Sequence, residues 1–211
     1  MKTSDLIEAL SHDAATVSRP PRRTMLMALA AGGLVSIVVF ALTMGPRPDL
    51  VTALASWRFD LKMVLVGCAL VLAFVDCVRL ANPAARGFAT RASLAVPLLL
   101  LGAVGVELYA VAPTEWGSRL LGTNSLVCLT AIPALSLAPL AAALYGMGTG
   151  APASSVETGL AAGRLAAAFA AALYALHCID DSPLFIATWY VLASVIVVVL
   201  GAIAGKLALR W

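Results

Sequence analysis

The chain has 211 residues, 62% of them hydrophobic and 12% charged, with a mean hydropathy of +0.97. A soluble domain carries roughly a quarter of its residues as charges, so this composition excludes a water-soluble globule and makes lipid the main solvent. A net charge of +3 is too small to suggest direct nucleic-acid binding, and the cations flank apolar runs, where membrane topology puts them.

Residues 1–23 form a polar segment, expected in the cytoplasm and distinct from a membrane domain over 24–211. Thr3 or Ser4 can cap a short helix there, with Asp5 and Glu8 in the first turns, where negative charge suits the helix dipole. Leu6, Ile7 and Leu10 share one side, extended by Ala14 and Val17. Arg19-Pro20-Pro21-Arg22-Arg23 ends that helix and holds the chain at the headgroups. One reading is an amphipathic helix lying on the membrane. The other is a helix offered to the groove of a soluble partner. The acids Asp5, Glu8 and Asp13 favour the second, because membrane-lying helices carry Lys and Arg on their polar face.

The apolar runs follow at 24–44, 61–80, 92–111, 124–145, 158–178 and 184–206. Each is close to the ~20 residues needed to cross ~30 Å of hydrocarbon. The first run has no small-x-small cleavage site and reads as a permanent helix rather than a signal peptide. The fifth is Ala-rich, so it is expected inside the bundle, where small side chains let backbones approach. Five spans is the alternative topology. The expected fold is therefore all-α: a polytopic transmembrane bundle of six helices with a short amphipathic N-terminal helix.

Lys and Arg set the orientation. With the N-terminus inside, the inner side holds Lys2, Arg19, Arg22, Arg23, Arg79, Arg86, Arg91, Lys206 and Arg210. The outer side holds Arg47, Arg58, Lys62 and Arg119. Nine against four favours both termini in the cytoplasm. Trp57, Tyr109, Trp116, Tyr174, Trp189 and Tyr190 are expected at the outer interface, and Tyr145 and Trp211 at the inner one.

That topology sorts the cysteines. Cys68 and Cys77 lie in the second span, whereas Cys128 and Cys178 fall at the outer ends of the fourth and fifth. In a bacterial inner membrane only the latter pair would face an oxidising compartment. With His177, Asp180 and Asp181 they could bind a heavy-metal or zinc ion at the periplasmic face. They could equally form a disulfide, or be small buried fillers. Asp76 and Arg79, three apart, are expected to pair near the inner face. Carboxylates at mid-bilayer, which would mark an ion path, are missing. Pro97, Pro133 and Pro139 fall within spans, and such breaks are the one feature favouring a small transporter or metal exporter. A structural membrane protein is a third possibility. No HExxH, GxSxG, Walker or dinucleotide motif occurs, and with two histidines the chain is not expected to be an enzyme.

The sequence resembles the NrsF family of membrane anti-sigma factors. The likeness rests on Met1-Lys2-Thr3-Ser4-Asp5-Leu6-Ile7-Glu8-Ala9-Leu10, on Gly45-Pro46-Arg47-Pro48-Asp49-Leu50 with Phe59 and Lys62, on Leu176-His177-Cys178-Ile179-Asp180-Asp181-Ser182-Pro183 with Trp189-Tyr190, and on Leu209-Arg210-Trp211. Asp180 stands where family members more often carry Glu. The resemblance implies a protein that holds an extracytoplasmic-function sigma factor at the inner membrane and frees it when heavy metal or oxidant acts outside. The family's cysteine pair would correspond to Cys128 and Cys178. The 1–23 segment, with the 79–91 loop, would bind the sigma factor. The oligomeric state, a homodimer among the options, stays open.

Overall fold

The computed structural model describes residues 21–80, 91–149 and 154–209. The N-terminal residues Asp5, Leu6, Ile7, Glu8, Leu10 and Asp13, expected to bind a partner, lie outside the described residues.

Six helices are long and apolar enough to cross a membrane, and the described residues contain no strand. They are α1 (Pro21–Thr43), α2 (Trp57–Leu80), α3 (Ala95–Ala110), α4 (Ser125–Gly148), α5 (Ser155–Ala175) and α6 (Val191–Ala208). The six-span expectation holds, and five spans is excluded. Short helical pieces Leu50–Ala53 and Trp116–Leu121 occupy two of the connections. The last span is entered through Pro183–Phe185 and a π-helical turn at Ile186–Tyr190.

The Ala-rich helix is the axis of the bundle. α5 packs against α2, α4 and α6, while α1 lies against α4. Ala161, Ala162, Ala166, Ala170 and Ala175 are fully buried. Small residues are needed because lipid tails give apolar helices little hydrophobic reason to associate, leaving close packing as the main attraction. Gly159 and Gly163 on α5 meet Gly201 and Gly205 on α6. A Cβ at Gly159 would stand 2.3 Å from the Gly201 carbonyl oxygen, and one at Gly201 2.5 Å from the Gly159 oxygen. Two small-xxx-small repeats thus lock this crossing at backbone contact. α3 is the outlier: only 11% of its span is buried.

The bundle has two ends. Met25, Leu80, Met147 and Leu209 join one buried cluster at the end where the membrane domain begins and finishes, here the terminal face. At the other, the far face, the loops after α1 and α5 and the segment before α4 come together.

Two local expectations fail. Asp76 pairs not with Arg79 but with Arg164 of α5, 3.2 Å away, and also accepts from Ser93 Oγ at 3.0 Å. Asp76 is buried against α5, whereas Arg79 is exposed. Tyr174 and Tyr190, expected at the outer interface, do lie toward the far face but are buried in the core, their rings tilted with centroids 5.7 Å apart.

Candidate functional site

Helix α5 ends at Ala175, so Cys178 lies beyond it, in the turn leading to Pro183. The turn stays close to helical: the Cys178 and His177 backbone N–H groups both donate to the Tyr174 carbonyl, at 2.9 and 3.0 Å. The Cys178 carbonyl, freed from helical bonding, is captured by two cations. Lys62 Nζ donates to it at 2.7 Å and Arg47 Nη1 reaches it at 3.4 Å.

Those cations also hold the neighbouring carboxylate. Asp181 is bridged by Arg47 Nη1 at 2.8 Å and by the Lys62 ammonium. Lys62 is fully buried, and its charge is tolerable there only because Asp181 and the carbonyl replace its water. Arg47 makes a second, bidentate bond to Asp49, through Nε at 2.7 Å and Nη2 at 2.8 Å. The Asp49 bond holds the guanidinium well above its usual range and Asp49 below the usual carboxylate range. The backbone follows: Arg47 N–H donates to the Leu176 carbonyl at 2.9 Å, and His177 Nδ1 donates to the Gly45 carbonyl at 2.9 Å.

Asp180 reaches the other way, to the start of α4. It accepts from the backbone N–H of Thr123 at 3.1 Å and of Asn124 at 2.8 Å, and from Asn124 Nδ2 at 3.1 Å. Gly122 makes that approach possible, with φ at +55° and no room for a Cβ, which would fall 2.8 Å from Asp180 Cγ and 2.6 Å from the Phe185 ring.

A third carboxylate binds the remaining elements. Glu107 of α3 is fully buried. It takes Arg58 of α2 at 3.0 Å, Arg119 at 3.1 Å and Ser182 Oγ at 3.4 Å. Arg119 also pairs with Glu115 at 2.9 Å. All four cations of the far face are therefore neutralised by acids of the same face.

Beneath this polar layer sit the thiols. Cys128, one turn into α4, and Cys178 are fully buried in one cluster with Tyr174, Phe185 and Tyr190. All four cysteines are free thiols. Burial raises the Cys178 thiol above its ordinary value, against the pull of Lys62. Cys178 Sγ lies 3.8 Å from the Asp180 carbonyl, and Tyr174 Oη donates to the Asn124 carbonyl at 3.3 Å.

Cys128, His177, Cys178, Asp180 and Asp181 thus share one end of the bundle, in different roles. The thiols lie inward. His177, Asp180 and Asp181 bond Gly45, the start of α4, and the Arg47–Lys62 pair respectively. Among the described residues no group of three or more His, Cys, Asp or Glu is arranged to hold a metal ion. Sequence reasoning missed the clasp of Arg47 and Lys62 and the hub at Glu107. A signal existed: four cations stand on the face where the charge rule wants few.

The model of the family described as negative regulator of sigma F, NrsF, matches residues 10–211. Over their whole lengths, the chain is 32% identical to the probable anti-sigma-F factor NrsF of Azospira oryzae. It is 31% identical, again end to end, to the anti-sigma-F factor NrsF of Caulobacter vibrioides. No solved structure shows significant similarity.

Proposed function

The chain belongs to the NrsF family of negative regulators of sigma F, and from that premise we propose that it holds an extracytoplasmic-function sigma factor at the bacterial inner membrane and frees it when a thiol-reactive stress reaches Cys128 and Cys178. It is an anti-sigma factor, a regulator and not an enzyme, in place of the transporter reading that the proline-bearing spans suggested. The observation that carries this is the end-to-end similarity to two anti-sigma-F factors.

Both termini are cytoplasmic in this reading. The excess of Lys and Arg on the terminal side, nine against four, supports it. The sigma factor then meets residues 1–23, with Asp5, Glu8 and Asp13 facing basic side chains and Leu6, Ile7 and Leu10 entering a groove.

The signal enters at the thiols. An oxidant takes two electrons and two protons from Cys128 and Cys178 as the disulfide forms; a thiophilic metal instead displaces both protons. Either reaction moves the turn at Cys178, whose carbonyl Lys62 grips. Lys62 lies near the start of α2, whose other end carries Arg79 and precedes the rest of the 79–91 segment. Weakening sigma binding 100-fold requires about 2.7 kcal/mol, within the ~1–3 kcal/mol usual for coupling between sites.

Co-purification of the sigma factor from detergent tests the first half. Binding that survives deletion of residues 1–23 removes that segment from the scheme. For the second half, Cys128→Ser with Cys178→Ser should leave the sigma factor sequestered yet abolish the response of a sigma-dependent reporter to cadmium or peroxide. A retained response defeats it.

A further inference from the structure

A cavity of about 530 Å³ lies between α2, α3, α5 and α6, inside the ~300–1,000 Å³ range of small-ligand sites. It exists because α3 stands off the bundle, tied chiefly through Glu107 at the far face. Along most of its length the walls are Ala69, Ala73, Leu100, Ala168 and similar side chains. Val195 and Val199 line it while remaining 51% and 50% exposed, so it opens sideways from α6 to the hydrocarbon. A ligand therefore enters from the bilayer.

One end differs. Toward the terminal face the lining is Asp76, Ser93 and Arg164. Among the described residues the lining's Asp76 and Arg164 pair with each other, and exposed Arg79, outside the lining, lies one turn further along α2, so the charge offered to a headgroup just beyond the cavity is positive. A membrane ligand must then be apolar over most of its length and anionic at the end that reaches the terminal face. We infer that this cavity takes an acyl chain of an anionic phospholipid, with its phosphate at the Arg79–Arg164 end. Basic pockets between transmembrane helices recognise such headgroups in the same way. The lipid fills the gap between α3 and the bundle, and the inference stands independently of any sigma factor or thiol chemistry.

The test uses the full chain in mild detergent, exposed to phosphatidylglycerol or phosphatidylcholine and assayed for retained lipid by native mass spectrometry. The wild type should retain phosphatidylglycerol, and its melting temperature should rise with that lipid and not with phosphatidylcholine. Ala168→Phe, which fills the cavity, should lose the bound lipid. Leu42→Phe, on the lipid-facing side of α1, should keep it. If Ala168→Phe does not fold, Ser194→Phe on the more open α6 wall replaces it, and the wild-type melting comparison decides without any variant. Equal retention of the two lipids, or undiminished retention by a folded filled variant, would mean an unspecific annular lipid and overturn the inference.

Discussion

Lys62 and Asp181 are 119 positions apart, yet they form an ion pair with the lysine fully shielded from solvent. This contact closes the far face, because the same ammonium also holds the carbonyl of Cys178. Replacing it with a neutral stem of similar length tests how much the clasp contributes. Lys62→Met leaves a buried carbonyl and half of the Asp181 carboxylate unanswered. Breaking one partner of a buried pair costs about 3–5 kcal/mol. Thermal unfolding in detergent should show a large drop, and protease should cut the 176–183 turn more readily. A melting point within a degree or two of wild type would show the clasp to be energetically idle.

Glu107 tests the attachment of α3. Glu107→Gln keeps the shape but removes the charge shared by Arg58 and Arg119. An expected loss of about 1–3 kcal/mol reflects partners left imperfectly satisfied. Hydrogen exchange should rise in α3 before it rises in α5.

Glycine at the α5–α6 crossing is a steric requirement. Gly201→Val places side-chain atoms against the Gly159 carbonyl and Gly163 Cα. Overpacking of this kind costs about 1–3 kcal/mol, and the yield of folded protein should fall. Gly67→Ala, where nothing lies within 4 Å, should be neutral and serves as the control.

Two groups outside the spans carry opposite pH signatures. The Cys178 thiol is raised by burial, so the native state favours its protonated form. Its contribution to stability holds below the ordinary thiol value of 9.0 and is lost as pH rises through the higher folded value. Asp49 is lowered by the Arg47 bond, so its contribution is present above the ordinary carboxylate value of 3.8 and is lost as pH falls through the lower folded value. Asp49→Asn should therefore flatten only the acid limb of a melting-versus-pH curve. Alkylation of Cys178 by a bulky maleimide, unlike reaction with a small oxidant or metal ion, should stay slow in the native protein at neutral pH and become fast on unfolding. Fast native labelling would contradict its burial.

Much of this architecture is readable from residue types alone. Apolar runs of ~20 residues specify six helical spans, since a helix of that length satisfies its own backbone in lipid whereas barrel strands are about half as long. An Ala-rich span is too weakly hydrophobic to face lipid and sits at the axis, as expected. The pairing of Cys128 with Cys178 at one end also follows from topology. The helix boundary was less legible: proline and aspartate after Cys178 suggest a helix to 178, but it ends at Ala175, where the His177 and Cys178 N–H groups both turn to the Tyr174 carbonyl.

Which charges meet which was decided by tertiary structure. Asp76 sits one turn from Arg79 yet bonds Arg164 on another helix, and Lys62 looks like a boundary residue yet is interior. Hydrophobicity acts on each segment separately, so a sequence determines by itself that α1 to α6 cross the membrane. Rotation of each helix about its own axis is set by neighbours, through glycine contacts such as Gly159 against Gly201 and through buried charges that must find partners. Those terms depend on all six helices at once, and only the assembled bundle expresses them.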